Sequence, residues 1–273
     1  MRRAAEAVLL HAALVAGAVL TLFPLLWMVS ASLMPAGEAT AVPPRLLPSA
    51  VTLAHYRALF TRLDLARTFL NSAGLAAAVT LIALLVNSMA GYAFAKLRFA
   101  GRERLFRLLL AALVVPAQVA MLPLFLMLKE LRLVNTYAGV MVPGMASVFG
   151  IFLVRQYALS LPESVLDAAR IDGAGEFRIY RSLVLYLCAP ILVTLAVFTF
   201  MGTWNDFMWP LVVLADARLY TLPVALANLA GEHVQDVELM MAGAVLTVLP
   251  VVLLFVCLQR YYIAGIMAGG VKE

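Results

Sequence analysis

Six apolar runs, each long enough to cross a lipid bilayer, constrain this chain more than any other feature. They lie at about 8–32, 68–95, 108–128, 137–157, 183–203 and 237–258. A helix of about 20 apolar residues spans the hydrocarbon core and satisfies its own backbone hydrogen bonds there. The 273-residue chain is only 13% charged, whereas a soluble domain has roughly 25% charged residues. The sequence therefore predicts an all-α membrane protein of six spans, organised as a single domain over residues 1–273.

The first apolar run has a signal peptide as its alternative interpretation, because Arg2 and Arg3 precede it. The apolar part of a signal peptide is usually about 7–15 residues long. The run from Val8 to Ser32 is longer, so it predicts an uncleaved first span. Pro116 and Pro123 interrupt the third span, and Pro143 with Gly144 predicts a kink in the fourth.

Basic residues are distributed unequally between the two sides of the predicted bundle. With the amino terminus inside, thirteen of the 20 Lys and Arg residues fall on that side. Basic loops stay in the cytoplasm, so both termini and the segment 159–181 are predicted to be cytoplasmic. The segments 36–65 and 204–236 then lie outside. Segment 36–65 is predicted to be a loop with a short helix around 52–60. Segment 204–236 is predicted to be partly re-entrant or folded on the outer face.

Several classes of function lose support from what the sequence lacks. The six apolar runs contain only two charged residues, Arg155 and Glu238, each within two residues of an end of its run, although proton-coupled transporters usually carry charged residues inside their spans. The chain also has no Gly-rich phosphate loop ending in Gly-Lys-Ser/Thr, so any ATP that drives it must bind another polypeptide. The three histidines and two cysteines are scattered without metal-ligand spacing. We predict no metal site, no catalytic site and no nucleic-acid partner.

The longest polar interruption in the second half of the chain begins at Glu163 and ends at Pro190. Ser160 is predicted to cap a short helix that Pro162 and Glu163 start, because serine accepts from free N–H groups at a helix start. The helix is predicted to run to about Ile171. Gly173 follows and is suited to the left-handed conformation that ends many helices. The segment therefore predicts a short surface helix, a glycine turn and a second helical start.

The residues D-A-A-R-I-D-G-A of this segment resemble the EAA loop of permease subunits from binding-protein-dependent ABC importers. The resemblance implies a coupling helix that sits in a cleft of a cytoplasmic ATPase. The resemblance assigns ATPase coupling to six residues of this segment, namely Asp167, Ala168, Ala169, Arg170, Asp172 and Gly173. An ordinary amphipathic loop helix is the alternative. Asp167 stands where glutamate is usual, and Tyr186 stands where proline is frequent, which leaves the local bend open.

Further segments extend the resemblance over most of the chain and narrow it to the carbohydrate branch of maltose-type permeases. They are FLNSAGLAAAVT from Phe69, GYAFAKLRFAGRE from Gly91, VNTYAGVMVP from Val134, FGIFLVRQY from Phe149, FTFMGTWNDFMWPLVVL from Phe198, and the run from Met241 to Lys272. The resemblance implies the fold of a type I ABC importer permease in the bacterial cytoplasmic membrane. It also implies a carboxyl-terminal tail that reaches the ATPase, with Gly269, Gly270 and Lys272.

The same resemblance implies the partners of the chain. They are a second permease, two ATPase subunits that hold ATP and Mg²⁺, and a periplasmic or lipid-anchored solute-binding protein, with membrane lipid around the spans. The chain itself would hold no cofactor. The predicted cargo is an oligosaccharide or disaccharide, and the alternative cargo is glycerol-3-phosphate or a polyol. A stand-alone secondary transporter or channel is the rival from another class.

Four residues are candidates for the translocation path. Trp204, Asn205 and Asp206 follow the fifth span, and Gln118 lies between two prolines of the third. A sugar needs polar groups that match its hydroxyls and flat aromatic faces, and these residues offer both. The alternative for the first three is an aromatic belt at the membrane interface with polar capping groups. The alternative for Gln118 is a side chain that satisfies kinked backbone.

Overall fold

The computed structural model describes residues 2–43, 45–62, 64–232 and 236–270, and all regular structure in these ranges is helical. Helix α1 covers Arg2–Ser32, and the short helix α2 covers Ala54–Arg62. Helix α3 runs without a break from Leu65 to Lys96. The short helix predicted around 52–60 is therefore confirmed.

The predicted third span consists of two helices that meet at a sharp bend. Helix α4 (Arg102–Ala112) and helix α5 (Ala117–Glu130) differ in direction by 102°. Pro116 lies in the gap as the N-cap residue of α5. Proline lacks the N–H that would continue the hydrogen bonds of α4, and the helix ends before it.

The predicted fourth span is also broken, at the place where the sequence indicated a kink. Helix α6 (Tyr137–Met141) passes into a 3₁₀ turn at Val142–Gly144, and helix α7 (Val148–Leu159) follows after a bend of 41°. The kink predicted at Pro143 and Gly144 is confirmed.

Between the fourth and fifth spans the chain forms two short helices. Helix α8 covers Glu163–Ile171 and helix α9 covers Glu176–Ile179. A π-helical turn at Tyr180–Val184 then leads into helix α10 (Leu185–Leu187).

The predicted fifth span bends inside its apolar run. Helix α11 (Ala189–Trp204) leaves the segment Glu176–Leu187 at an angle of 79°. Pro190 cannot donate a hydrogen bond to the carbonyl of Tyr186, four residues earlier, so the helix breaks near Cys188. A bend of the kind that a proline at 186 would have indicated is thus present, and the proline that causes it lies four residues later, at 190.

The remaining chain contains three helices. Helix α12 (Met208–Val213) packs against α5 and α6, and a 3₁₀ turn follows it at Ala217–Leu219. Helix α13 covers Leu222–Glu232, and helix α14 covers Val237–Gly270. The segment 204–236, predicted to be folded, thus contains two short helices.

Within the described ranges, three helices are long and apolar enough to cross a membrane on their own, namely Glu6–Ser32, Leu65–Lys96 and Val237–Cys257. The three bent pairs described above raise the number to six if each pair is one crossing. Many apolar side chains face outward, as Leu20 does with 78% exposure. Outward-facing apolar side chains are expected where lipid replaces water as the solvent. The all-α membrane fold predicted from the apolar runs is confirmed.

The chain divides into two compact units. One contains Met1–Ala66 and Ala225–Val252, and the other contains Arg67–Val224 and Leu253–Glu273. In the first unit Ala31, Met34 and Ala39 form a small core with Val237 and Met241 beside it. Glu238 is fully buried there and accepts a hydrogen bond of 2.8 Å from the backbone of Ala39. This bond fixes the segment after α1 to the start of α14.

The second unit has two buried clusters that lie near opposite ends of α3. One surrounds Leu75 and contains Leu128, Val140, Trp209 and Val213. The other surrounds Tyr92 and contains apolar residues from α7, α8 and the π-helical region, namely Ala158, Leu166, Ile179, Tyr180 and Val184. Helix α3 therefore connects the short helix α8 to the region of α5, α6 and α12.

Candidate functional site

The short helix α8 begins differently from the prediction. Its N-cap residue is Pro162, and Glu163 is the first helical residue. The Ser160 hydroxyl donates backward to the carbonyl of Tyr157 at 2.7 Å and caps nothing in α8. The predicted cap was therefore wrong. The reason is that α7 continues to Leu159, so that Ser160 belongs to the end of the preceding helix.

The end of α8 agrees with the prediction. Gly173 has φ +78°, the left-handed conformation that glycine adopts without steric cost. Its N–H donates to the carbonyl of Arg170, and the N–H of Ala174 donates to that of Ala169, each at 3.0 Å. These two bonds form a Schellman motif, which satisfies carbonyls that a helix end leaves free. The chain reverses there toward α9.

Helix α8 has one face packed and one face free among the described residues. Leu166 is fully buried in the cluster around Tyr92, and Ala169 packs against the same cluster. On the other side, Val165 is 40% exposed, Ala168 is exposed and Ile171 is 86% exposed. Residues three apart on a helix share a face. Ile171 is therefore an apolar side chain that makes little contact with its own chain and is available to another molecule.

The six residues assigned to coupling do not all lie on the exposed face of α8. Asp167, Ala168, Asp172 and Gly173 are exposed, as expected. Ala169, predicted to allow close approach of a partner, instead packs inward because it lies one turn from Leu166. The sequence reasoning missed Ile171 and the 67%-exposed Phe177. The available signal in the sequence was the spacing of apolar residues at 165, 168 and 171, three apart on a short polar segment.

Charged side chains bridge the glycine turn. Arg170 donates to Asp167 at 2.7 Å within α8 and to Glu176 at 2.8 Å across the turn. Hydrogen bonds to Glu176 and then to Asp167 raise the pKa of the Arg170 guanidinium, which stays charged. The arginine therefore faces its own chain and joins the two helices on either side of Gly173.

Helix α3 contacts the same segment through polar side chains spaced one turn apart. Lys96 Nζ donates to the carbonyl of Leu161 at 2.7 Å and to Glu163 Oε1 at 2.9 Å. The Tyr92 hydroxyl donates to Glu176 Oε2 at 2.6 Å. Beside Lys96 lies a cleft of about 640 Å³ that is also lined by Glu163, Asp167, Arg170 and Glu176. Polar contacts from α3 therefore hold both the start of α8 and the start of α9.

Two of the four path candidates meet in one cavity. Gln118 and Asp206 line a space of about 400 Å³, within the range of small-molecule sites. Its other polar lining includes Thr203 and Thr221, and Trp209 contributes an aromatic face. Thr221 is only 4% exposed, and its hydroxyl has no hydrogen-bond partner among the residues that the structure describes. A buried hydroxyl without a partner is costly, and a polar ligand or water would satisfy it.

Asp206 also has a structural role at this cavity. Its Oδ1 accepts a hydrogen bond from the backbone of Trp209 at 3.3 Å, in the first turn of α12. Burial raises the pKa of Asp206, and hydrogen bonds from the backbones of Trp209 and Met208 oppose that rise. The Asp206 side chain therefore lines the cavity and also accepts a hydrogen bond at the start of α12, which is the capping role given above as the alternative.

The other two path candidates do not line this cavity. Trp204 is 1% exposed and packs edge-to-face on Phe69 with ring centroids 5.3 Å apart. Asn205 is exposed and donates to the carbonyl of Met201 at 2.9 Å. Both lie one or two residues before Asp206, where the end of α11 turns their side chains elsewhere. The cavity instead uses Trp209, which lies in the same aromatic segment, and also Thr203 and Thr221, which the sequence reasoning missed.

The candidate tail residues lie at the end of the described chain. Gly269 and Gly270 are the last residues of α14, and Lys272 lies outside the described residues. Among the described residues, no group of three His, Cys, Asp or Glu side chains is arranged to hold a metal ion.

The fold and the site together define a multi-span helical membrane protein with a short, partly exposed helix between two of its spans. Residues 87–267 match the family described as the inner membrane component of binding-protein-dependent transport systems. The chain belongs to this family. That assignment confirms the resemblance drawn from the loop around Asp167, and it places the chain among multi-span proteins of the inner membrane.

Relatives and a solved structure agree with the family assignment. The arabinooligosaccharides transport permease AraQ of Halalkalibacterium halodurans is 41% identical, over 93% of this chain and 92% of the relative. The lactose transport permease LacG of Rhizobium radiobacter is 31% identical, over 100% of this chain and 98% of the relative. A bacterial ABC transporter that imports the acidic polysaccharide alginate has a chain of the same fold. The TM-score is 0.84 at 23% identity, covering 96% of this chain and 98% of that one.

Proposed function

We propose that this chain is one of two permease subunits of an ATP-driven importer and forms half of the path for an oligosaccharide or disaccharide. Two separate ATPase subunits bind ATP and Mg²⁺, and an external solute-binding protein delivers the sugar. The names of the arabinooligosaccharide and lactose permeases support this cargo class. Glycerol-3-phosphate is the second candidate, since the permease UgpE of Brucella abortus is 30% identical over 94% of this chain.

The observation that carries the proposal is the exposed apolar face of α8. Val165 and Ile171 lie on a helix whose opposite face is held by Leu166 in the core. An exposed apolar patch bordered by charges is typical of a protein interface. The occupant is the cytoplasmic ATPase subunit. When ATP binding moves the ATPase subunits together, α8 moves with the subunit that holds it.

The translocation path includes the cavity of Gln118 and Asp206. A largely apolar cavity with a few unpaired polar groups suits a sugar, which has polar hydroxyls and an apolar ring face. The unpaired hydroxyl of Thr221 would bind a sugar hydroxyl, and the ring of Trp209 would contact the apolar face of the sugar ring. Both termini and α8 lie on the cytoplasmic side in this proposal. Rotation of the spans then exposes the cavity to one side of the membrane at a time.

Co-purification tests the docking surface and separates an importer subunit from a stand-alone transporter. The permease is tagged and expressed with its partner permease and ATPase, and the ATPase retained per permease is measured. Replacing Ile171 by serine should lower the retained ATPase about tenfold, corresponding to about 1.4 kcal/mol. Leu131→Ser is the matched control, because Leu131 is 61% exposed at the end of α5, on the side assigned to the exterior.

The result contradicts the proposal if the ATPase binds both variants as well as it binds the wild-type chain. It also contradicts the proposal if the wild-type permease retains no ATPase, which is the outcome expected of a secondary transporter.

A further inference from the structure

Three side chains of α3 hold the segment around α8 at three separate points. Lys96 contacts Glu163 and Leu161 at the start of α8, and Tyr92 contacts Glu176 beyond the glycine turn. One turn further along, the hydroxyls of Ser88 and Tyr180 are 2.7 Å apart and hydrogen-bonded. We call these three contacts the polar ladder.

The spacing of the ladder makes it a single stripe on α3. Ser88, Tyr92 and Lys96 are four residues apart, so their side chains lie above one another on one helix face. All three are at least nine-tenths buried, and the Lys96 side chain is only 3% exposed. Buried hydrogen bonds are stronger than exposed ones because water does not compete for the groups. The ladder therefore ties α8, α9 and the π-helical turn to one face of one helix.

The covalent route from α8 into the fifth span is less direct. The chain passes the turn at Gly173, then the π-helical turn at Tyr180–Val184, and then the 79° bend near Cys188. Each interruption adds a place at which the backbone departs from a regular helix. Helix α3, in contrast, has 32 residues and no proline. A displacement of α8 reaches an unbroken helix through the ladder.

The far part of α3 belongs to the cavity of Gln118 and Asp206. Leu75 and Val79 line that cavity from α3. The 21 residues between Leu75 and Lys96 correspond to about 30 Å at 1.5 Å per residue. One rigid helix thus joins the docking helix to the wall of the candidate sugar path.

We propose that the polar ladder is the mechanical connection by which movement of α8 reaches the cavity, with α3 as the transmitting element. This inference rests on the proposed function, because it requires an ATPase that moves α8. Ser88, Tyr92 and Lys96 are positioning residues in this scheme. They contact neither ATP nor the sugar, and they determine whether ATP hydrolysis moves the cavity wall.

The test measures sugar uptake and ATP hydrolysis together in vesicles that contain the whole complex and its solute-binding protein. Tyr92→Phe removes one hydroxyl and preserves the ring, and Lys96→Met removes the ammonium group and keeps an unbranched side chain. Glu163 is 61% exposed, so the loss of Lys96 leaves its carboxylate in water and strands no buried charge. Lys96→Arg is the conservative variant, and Lys129→Met removes a lysine from the last turn of α5.

The double variant Tyr92→Phe with Lys96→Met should keep its ATPase and hydrolyse ATP. Its uptake should fall at least tenfold, so that the ATP hydrolysed per sugar imported rises by the same factor. Lys96→Arg and Lys129→Met should keep the wild-type ratio within about twofold. Where the double variant does not assemble, Tyr92→Phe alone should raise the ratio about threefold, since it changes a single hydrogen bond.

Two results would overturn the inference. In the first, uptake and hydrolysis fall in the same proportion as the amount of attached ATPase, which would mean that the ladder only holds α8 in a docking position. In the second, the ratio stays at the wild-type value in the double variant or in assembled Tyr92→Phe. Failure of the proposed function looks different, because the wild-type complex itself then retains no ATPase or imports no sugar.

Discussion

Gly150 of α7 lies directly against the side chain of Asn87 of α3. A Cβ atom placed on Gly150 would come within 2.8 Å of Asn87 Nδ2 and 3.2 Å of Leu195 Cδ1. The Asn87 side chain cannot rotate away without cost, because its Oδ1 accepts a hydrogen bond of 2.9 Å from the backbone of Ser147. The absence of a side chain at 150 therefore sets how closely α3 and α7 approach.

This contact predicts that Gly150→Ala destabilises the protein. Overpacking of this kind costs about 1–3 kcal/mol, which exceeds the gain of about 1 kcal/mol that alanine brings to a helix. Gly74→Ala is the matched control, because Gly74 lies in α3 with nothing within 4 Å of its added Cβ. Thermal unfolding in detergent should give a lower Tm for Gly150→Ala than for Gly74→Ala. Equal values would mean that the two helices separate without cost.

The turn after α8 predicts a different effect at two nearby glycines. Gly173 has φ +78° and Gly175 has φ −70°, and neither has an atom within 4 Å of an added Cβ. Alanine at 173 should cost about 1 kcal/mol through the left-handed backbone alone, and so loosen the end of α8. Gly173→Ala should retain less ATPase in co-purification than Gly175→Ala. Similar retention by both variants would show that the Schellman end does not position α8.

The cavity predicts that Thr221 contributes to uptake of the sugar. Thr221→Val keeps the shape of the side chain and removes the unpaired hydroxyl, and we expect the KM for uptake to rise about threefold to tenfold. That range corresponds to loss of one hydrogen bond of about 1 kcal/mol. Thr194→Val is the control, because the Thr194 hydroxyl is exposed and donates only to the carbonyl of Pro190 in its own helix. An unchanged KM for Thr221→Val would remove the cavity from the path.

The orientation predicts which introduced cysteines a membrane-impermeant maleimide reaches in intact cells. Leu47 is 76% exposed in the segment assigned to the exterior, whereas Gly175 is exposed in the segment assigned to the cytoplasm. Leu47→Cys should be labelled and Gly175→Cys should not. The background carries Cys257→Ser, because Cys257 is exposed, and it retains Cys188, which is buried. Labelling with the opposite pattern would invert the topology and remove α8 from the cytoplasm.

The apolar runs and Gly173 could be predicted from the sequence because both depend on local chemistry. A run of apolar residues must leave water, and a left-handed helix end strongly favours glycine. The bend near Cys188 was harder to predict, because the deciding proline at 190 lies four residues after the position where the family pattern usually has one. The inward direction of Ala169 follows from its position three residues after the buried Leu166. Which face of α8 is packed depends on contacts with other elements, such as Tyr92 of α3 and Ala158 of α7, which a local pattern does not reveal.

The polar ladder could not be predicted from local patterns, because each of its contacts joins residues more than 60 positions apart. The spacing of Ser88, Tyr92 and Lys96 was nevertheless visible in the sequence. Polar groups repeated every four residues at the end of an apolar run indicate one polar stripe. The stripe marks a face of α3 without identifying the segment that contacts it.

The π-helical turn at Tyr180–Val184 also determines which changes of chain length this region can accept. A π turn holds one residue more than the α-helical turn it replaces, and one residue corresponds to a rotation of about 100° around a helix axis. Deleting one residue between Gly175 and Cys188 would allow a regular helix to form. The residues on either side of the turn would keep nearly the same direction around the axis, because a π turn places residues five apart above one another as an α-helical turn places residues four apart. Among proteins of this kind, a length difference of one residue should therefore be tolerated within Tyr180–Val184. A one-residue difference inside the regular helix α3 would rotate its two parts by about 100° and separate the polar side chains that share a face.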